Sequence, residues 1–494
     1  PVGLQAATPF GNDNAATNNP NNTIFSLNML KEGNGTPIQF TNSHTLPGRM
    51  SLRWTYTFLN GITYYDWGSL DEDTSIDPGV GYIHKGLGNN GGSPQEFLFE
   101  GRPNNGTILI AADDVDGDTA NESEADVTQT TTLVGNPYPS SIDAHKFIDD
   151  NAGIIEGTIY LYQHWGGDNH ILNEYEGGYA VLNKLAKIRA YQFVGKSGDF
   201  DGGSQNGTLT PSQYIGVGQS FITEVVNDGN IEFNNSQRYF KLESTGDVEF
   251  FRTNENNKET KTSEEQSDSL SVIKMEFRLS NDLTREFVLG FSEDMTMDYD
   301  YGYDAKLMAT KSNDMYTMWN DEKMIAQAYP QIAADMEIPL HMVVTGDQTY
   351  ELSAQEISNL EGFTVYLWDK YTDTYFDLTG GEYYAFTSEA GTYTDRFSIV
   401  FQTQDTLSEE EVQLTDTLIY YNTQDDRIYI KGLNQNSKSI NLMDMSGKTI
   451  NQFGEQSASA MSNGLPITNI SSGIYIVSVL TDTNQIINKK LIID

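Results

Sequence analysis

The chain has 494 residues, with 70 acidic and 29 basic side chains, a formal net charge of −41 and no cysteine. This charge disfavours nucleic acid and anionic membranes as partners, because phosphate binding needs clustered lysine or arginine. The lack of cysteine excludes disulfides, a thiol nucleophile and cysteine-ligated zinc.

No apolar run approaches the ~18 residues that a membrane-spanning helix needs, so we expect no transmembrane segment. The chain starts at Pro1 without a signal peptide, and we expect a mature form or a piece of a longer protein. Glycine, asparagine, aspartate and threonine are heavily used, while leucine-rich helical periodicity is scarce. This composition is typical of turn-dense β proteins, and the length predicts two to four domains.

Taken in chain order, residues 1–36 are rich in asparagine and predict an irregular leading segment or the tail of an upstream domain. Residues 37–252 predict a β-sandwich or jelly-roll-like domain, because aromatic and β-branched runs alternate with turn residues. Within this domain, Ser140-Ser-Ile-Asp143 forms a capping-box pattern that predicts the start of a helix.

A repeated sequence pattern suggests two related halves of this domain. Gly79-Val-Gly81 leads into a strand-like run at 97–99, and Gly216-Val-Gly218 leads into another at 231–233. A nucleotide-binding loop would need a helix after the glycines, and neither copy has one. We therefore interpret both copies as hairpin turns.

Polar and charged residues at 253–269 predict a linker, since almost nothing there can be buried. Residues 270–402 predict a second β-sandwich domain, and residues 403–416 predict an acidic linker. Leu133–Ser140 and Tyr301–Lys306 resemble a recurrent module of large Bacteroidetes surface proteins. The resemblance implies no catalytic residue.

Three aspartates at alternate positions, Asp114, Asp116 and Asp118, predict a calcium site, since Ca²⁺ takes several oxygen ligands from a tight loop. The match to a calcium loop is incomplete, because Thr119 replaces the glycine and Ala125 the last carboxylate ligand. A solvated acidic loop is the alternative. No other cofactor is expected.

The sequence predicts no enzyme. His164 and His170 flank Trp165 and Asp168, but no His-Glu-x-x-His or Gly-x-Ser-x-Gly motif occurs, and a polar loop is the favoured interpretation. Seventy acids make many accidental carboxylate pairs, so no pair is singled out for glycoside chemistry.

The last stretch, 417–494, differs from the rest in charge: its six basic and six acidic residues cancel. Short alternating runs separated by turn residues predict a small antiparallel, immunoglobulin-like sandwich of about seven strands. The fold class of the whole chain is therefore all-β, with tandem sandwich or jelly-roll-like domains ending in this module.

Three motifs occur in order within this stretch: Asn441–Lys448 with Gly447 and Lys448, Ile470–Val477 with Gly473 and Tyr475, and the pair Lys489 and Lys490 close to the end. They resemble the type A C-terminal sorting domain of the Bacteroidetes type IX secretion system, although Met443 stands where the family often has an aromatic residue.

This resemblance implies export through the periplasm to the surface or surroundings of a Gram-negative cell. It implies as partners the type IX outer-membrane translocon, its shuttle β-barrel protein and a surface sortase-like protease.

Aspartate followed by serine or threonine and then alanine or leucine resembles the O-glycosylation sequon of Bacteroidetes export. The hydroxyl residues of this pattern are Thr119, Ser269, Thr406 and Thr417. Asp-Thr pairs are also common in turns, and that alternative stays open.

These observations predict a secreted, cell-surface protein, adhesin- or stalk-like, whose front domains bind a glycan or another surface ligand. The alternative is the non-catalytic C-terminal part of a secreted carbohydrate-active or proteolytic enzyme.

Overall fold

The structure is a computed structural model that divides the chain into two compact units, Pro1–Phe401 and Gln402–Asp494. It describes the chain except for residues 1–3, 7–9, 12–24, 89–94, 116–128, 167–175, 192, 195–206, 242–269, 281–282, 309, 347, 361, 404–417, 423–424, 434, 445–447, 469, 484–485 and 494.

Short strands dominate the described residues up to 241. They are β1 (Leu4–Ala6), β2 (Phe10–Gly11), β3 (Lys31–Glu32), β4 (Phe40–Thr41), β5 (Met50–Ser51), β6 (Tyr56–Thr57), β7 (Gly68–Ser69), β8 (Tyr82–His84), β9 (Phe97–Leu98), β10 (Arg102–Pro103), β11 (Ile108–Ala112), β12 (Thr131–Gly135), β13 (Ser141–Asp143), β14 (Ile159–Gly166), β15 (Glu176–Leu182), β16 (Lys187–Ile188), β17 (Phe193–Val194), β18 (Tyr214–Ile215), β19 (Ser220–Glu224), β20 (Gly229–Phe233) and β21 (Arg238–Tyr239). Helix α1 spans Ala144–Asp150, and 3₁₀ turns lie at Leu27–Met29, Leu52–Trp54, Tyr64–Asp66 and Asn235–Gln237.

Longer strands follow from residue 271 to residue 403. They are β22 (Ser271–Leu279), β23 (Thr284–Phe291), β24 (Ala305–Lys306), β25 (Asp314–Trp319), β26 (Glu322–Tyr329), β27 (Glu337–Val344), β28 (Thr349–Ser358), β29 (Phe363–Asp369), β30 (Thr374–Asp377), β31 (Tyr384–Thr387) and β32 (Gly391–Thr403).

The C-terminal unit is a two-sheet sandwich. Its strands are β33 (Leu418–Asn422), β34 (Arg427–Lys431), β35 (Ser437–Asp444), β36 (Thr449–Phe453), β37 (Leu465–Pro466), β38 (Gly473–Thr481) and β39 (Ile486–Ile493), with helix α2 at Ala458–Ser462. One sheet has the order β33-β34-β37 and the other β36-β35-β38-β39. The described residues thus confirm the seven-stranded sandwich, and the whole chain is all-β as predicted.

Period-two burial explains why these segments become strands. Along β38, Tyr475, Val477 and Val479 are buried while their neighbours are not. Ile108, Ile110 and Ala112 of β11 alternate in the same way. Successive side chains of a strand point to opposite faces, so such a sequence buries one face of a sheet.

One eleven-stranded sheet, in the order β30-β29-β32-β27-β25-β26-β23-β22-β28-β31 with β24 beside β26, folds over a single core. The two ends of this sheet meet, since the rings of Phe376 on β30 and Tyr384 on β31 lie 5.4 Å apart. The sheet is mainly antiparallel, but β23 and β26 pair in parallel.

Residues from both predicted front domains share this core. Leu133, Tyr160 and Leu185 belong to the same buried cluster as Ile273 and Phe287. The predicted linker 253–269 lies outside the described residues. On its two sides, the chain forms one compact unit.

A second core is built from buried residues between Ile108 and Phe233, and Tyr301 packs against it. The ring of Phe147 on α1 lies 4.9 Å from Phe233 and 5.2 Å from Phe221, and all three side chains are fully buried. The six-stranded sheet β12-β19-β14-β15-β16, with β17 beside β15, supplies most of the surrounding backbone.

The predicted helix exists, but its cap was assigned to the wrong residue. Asp143, not Ser140, is the N-cap, and its carboxylate accepts hydrogen bonds from the backbone N–H groups of His145 and Lys146. Residues 141–143 form strand β13, which pairs with β18 on one side and β21 on the other. The helix therefore begins only after them.

The interpretation of the two Gly-Val-Gly copies as hairpin turns is wrong. Strand β8 pairs with β1 and β6, while β9 pairs with β3. In the second copy, β19 pairs with β12 and β14, while β20 pairs with β11. The glycines do form turns, since Gly79 and Gly218 have φ values of 87° and 72°, but each following strand crosses to a distant partner.

Candidate functional site: the C-terminal module and the predicted polar sites

The first sorting motif closes the β35–β36 hairpin. The backbone N–H of Asp444 donates to the carbonyl of Lys448 at 3.0 Å, and the Lys448 N–H donates to Asp444 Oδ1 at 3.1 Å. Lys448 is exposed, whereas Gly447 lies outside the described residues. The motif therefore supplies a closed turn with a lysine in solvent.

The second motif anchors β38 in the sandwich core. Tyr475 is 6 % exposed, and its hydroxyl donates to the carbonyl of Ser471 at 2.8 Å, which ties the strand to the turn before it. Gly473 begins the strand opposite Ile493. A buried tyrosine needs such a partner for its hydroxyl, so this motif is structural in the folded module.

The lysine pair lies on β39, which ends its sheet. Lys489 stands opposite Val477 and Lys490 opposite Ile476, and both lysines are exposed. Lys489 shares a strand face with the buried Leu491, yet it reaches solvent at the sheet edge. Charges on an edge strand hinder unspecific edge pairing and leave two adjacent cations for a partner to recognise.

The structure places one of the three predicted calcium ligands. Asp114 follows β11, and its backbone N–H donates to Asp228 Oδ1 at 2.9 Å. Asp116 and Asp118 lie outside the described residues. Within the described part of the chain, no group of three or more histidine, aspartate or glutamate side chains is placed to hold a metal ion.

A second acidic motif, Asp298-x-Asp300-x-Gly302-x-Asp304, shapes a turn. The carboxylate of Asp300 accepts from the Thr296 backbone N–H at 2.8 Å, and Asp304 accepts from the Ala328 N–H at 2.6 Å. The Asp300 N–H donates to Asp304 at 2.9 Å. These carboxylates are therefore used by the protein's own donors.

The same loop attaches the part of the front unit that follows residue 269, here called the second segment, to the part that precedes residue 242, the first segment. Tyr301 donates its hydroxyl to the carbonyl of Ile148 at 2.7 Å, and the Lys184 N–H donates to the carbonyl of Gly302 at 2.8 Å. The hydroxyl of Tyr299 donates to the carboxylate of Glu156. Composition alone does not reveal this junction, because its partners lie more than a hundred residues apart.

Buried charges cluster at this junction. Burial raises the pKa of Asp304 to about 7, and it also raises the pKa of Glu156. Lys306 supplies the cation, with its Nζ 2.8 Å from Glu224 Oε1. Because Lys306 pairs with Glu224 within the protein, we interpret the cluster as structural.

His164 lies within β14 opposite Gly177, so its placement in a polar loop is wrong. His170 and Asp168 fall outside the described residues. The four predicted glycosylation residues, Thr119, Ser269, Thr406 and Thr417, also fall outside them. Among the described residues, no helix has the length and apolar character needed to cross a membrane.

Sequence reasoning passed over an aromatic surface on the β29–β30 hairpin. Trp368 and Tyr375 stand opposite each other, and their rings stack 5.4 Å apart. The signal was present as Tyr366, Trp368, Tyr371 and Tyr375 around a short Thr-Asp-Thr turn, but aromatic residues in strands are usually core residues.

Two family matches cover most of the chain. Residues 34–401 match the family described as Domain of unknown function (DUF8693), without a break at 253–269. Residues 418–494 match the family described as Secretion system C-terminal sorting domain. No curated protein matches the chain.

Among solved structures, the chain is similar to one titled "Biofilm associated protein - BSP domain". The identity is 9 %, the TM-score is 0.13, and the alignment covers 99 % of this chain and 96 % of the other. A likeness at this TM-score carries no argument about fold or function.

The sorting match confirms the predicted export route to the cell surface or the extracellular space, and it implies interaction with the type IX secretion machinery. The other match covers more than half of the chain. The chain therefore belongs to the family described as Domain of unknown function (DUF8693), and its C-terminal sorting domain makes it a type IX secretion substrate.

Proposed function

We propose that this protein is a non-catalytic adhesin- or stalk-like surface protein, whose front unit binds a ligand outside the cell. The observation that carries the proposal is that buried charges of the front unit pair with one another. Arg285 and Asp314 form a two-bonded pair at 2.6 and 2.9 Å, and Arg396 pairs with Asp369. Such pairs stiffen a scaffold, whereas a catalytic site keeps polar groups available for a substrate.

The shuttle β-barrel protein and the surface sortase-like protease belong to this proposal as partners of the C-terminal unit. Exposed Lys489 and Lys490 on the edge of β39 support recognition by a protein, because they are available in the folded module. We also propose that the exported form binds Ca²⁺ at Asp114, Asp116 and Asp118. It would carry glycans at the four predicted hydroxyl residues.

Two experiments test the two halves of the proposal. Residues 417–494 are fused behind a periplasm-directed fluorescent protein in a type IX-competent host, where we expect fluorescence at the cell surface or in the medium. A fusion retained in the periplasm contradicts export by this module. A fusion carrying residues 417–494 in scrambled order is the control.

Attachment is tested with cells that lack the protein and with cells that carry the full chain. We expect the lacking strain to adhere less to a polysaccharide-coated surface and the full chain to restore adhesion. Equal adhesion of both strains, with the protein shown on the surface by antibody, contradicts the binding role.

A further inference from the structure

The outer face of the β29–β30 hairpin carries a row of aromatic rings. Trp368 and Tyr375 pair across the strands with an interplanar angle of 9°, and Tyr375 is 54 % exposed. Tyr366 and Asp377 form the next cross-strand pair. Side chains two residues apart in a strand share a face, so these four residues line one surface.

The turn of the hairpin carries another exposed ring, which contacts a different set of residues. Tyr371 is 62 % exposed, and its ring meets Tyr393 edge-on at 6.1 Å. The Arg396 guanidinium lies 5.2 Å from the Tyr371 ring. We call Tyr366, Trp368 and Tyr375, which share the outer face of the hairpin, the aromatic shelf.

The backbone beneath the shelf is held in place by hydrogen bonds. Asp369, 1 % exposed, pairs with buried Arg396 and accepts from the Tyr371 N–H at 3.0 Å. The indole N–H of Trp368 donates to Asp373 Oδ1 at 3.2 Å. The shelf is therefore ordered before any ligand arrives, which reduces the entropy that binding loses.

Burial does not explain why the side chains of the shelf are held in place. Strand β30 ends the eleven-stranded sheet, and Tyr375 remains exposed within the described part of the chain. Exposed large rings on a rigid surface are typical of interaction sites, since tyrosine and tryptophan present a large contact area with few rotatable bonds.

The chemistry around the rings selects the class of ligand. A chain with net charge −41 repels polyanions, and the nearby Lys370 is engaged with Glu337 at 2.6 Å. Oδ1 of Asp373 accepts from the Trp368 indole and Oδ1 of Asp377 from Thr379, so the second oxygen of each carboxylate is the one that can accept from a hydroxyl group. A neutral sugar offers both an apolar C–H face for the rings and hydroxyl groups for these acceptors.

We propose that the aromatic shelf is a binding site for a neutral, uncharged glycan chain. This inference rests on the proposed function and names the ligand class and the residues for it. A sugar ring stacks on the exposed face of Tyr375, and Trp368 stacks against the other face of this tyrosine.

Native gel electrophoresis of the full chain in gels containing laminarin, yeast mannan, xyloglucan or dextran tests the proposal. We expect retardation in at least one of these neutral gels and none in alginate. Trp368→Ala and Tyr375→Ala should each weaken retardation at least threefold, and the double variant at least tenfold. Tyr375→Phe should retain most of it, because the ring is kept.

Tyr65→Ala is the matched control, since Tyr65 is 78 % exposed and lies in the 3₁₀ turn Tyr64–Asp66, outside the β29–β30 hairpin. Thermal melting shows that each variant is folded. No retardation in any neutral gel, retardation only in alginate, or an equal effect of the control overturns the proposal. A dimer that the double variant abolishes without any glycan effect assigns the surface to a second copy and also overturns it.

Failure here is distinguishable from failure of the proposed function. If the full chain restores cell attachment and the double variant restores it equally, the adhesin role stands and the shelf is not its site. If both attachment and retardation are lost in the double variant, the shelf is the adhesive surface.

Discussion

Gly157 and Gly302 lie so close that a Cβ atom on Gly157 would stand 2.8 Å from the backbone nitrogen of Gly302. Their contact brings together the two segments of the front unit, and both glycines have positive φ values, 101° and 76°. Only a residue without a side chain fits Gly157, because real Cβ atoms do not approach backbone atoms so closely.

Gly157→Ala should therefore lower the free energy of unfolding of the front unit by about 2–4 kcal/mol, through backbone strain and overpacking. Gly153→Ala is the control, since Gly153 has φ 85° but nothing within 4 Å of a Cβ. It should cost about 1 kcal/mol from strain alone. Urea unfolding of both variants checks this, and equal losses would show that the close contact is unimportant.

Asp304 should make the stability of the front unit depend on pH. Because burial raises its pKa to about 7, the folded state holds a proton that the unfolded chain releases near pH 4. Its contribution is complete below the unfolded pKa and is lost as the pH rises through about 7.

The full chain should lose about 2–3 kcal/mol of unfolding free energy between pH 5 and pH 8 relative to Asp304→Asn, which does not titrate. Comparison with this variant is needed because buried His84 and His145, with pKa values lowered to about 4, act in the opposite direction. Parallel pH profiles for the two proteins would contradict the assignment.

Exchanging Lys489 and Lys490 for glutamine should reduce export without unfolding the C-terminal unit, since both side chains are exposed. Removing Lys489–Asp494 is a cruder change, because it also deletes the buried Leu491 and Ile493 and should unfold the sandwich. Lys438→Gln, also on an exposed lysine of the module, is the control. Export is measured by surface fluorescence of the fusion; normal export of the double variant would show that the pair is not read.

Ca²⁺ should raise the melting temperature of the front unit if Asp114, Asp116 and Asp118 converge. An ion that binds only the folded loop stabilises it by about 2.7 kcal/mol at a hundredfold excess over Kd. Asp116→Asn should remove the effect, while Asp298→Asn should leave it. Melting curves that coincide in Ca²⁺ and in EGTA remove the site.

The sorting module should be cut off within residues 403–416 after export. Residues 404–416 lie outside the described part of the chain, but their glutamate, glutamine and threonine side chains offer little apolar surface to bury, so we expect a protease to reach them. The mature C-terminus should lie before Leu418. Peptide mapping of the surface-bound protein decides the matter, and an intact Lys490 peptide from that form would show that the module is retained.

The sequence by itself determined the features that are encoded locally. Alternating burial along β11 and β38 follows from period two in the side chains, and the sorting motifs are contiguous stretches whose meaning does not depend on distant residues. The secretion route could therefore be predicted from the order of the amino acids alone.

Only the tertiary structure decided which strands pair and which charges meet. The sequence of a strand does not show which other strand it will hydrogen-bond to. The pairing of β20 with β11, and the parallel pairing of β23 with β26, could therefore not be predicted. Asp304 and Glu156 look like any other acids among seventy, and their raised pKa values arise from burial where the two segments share a core.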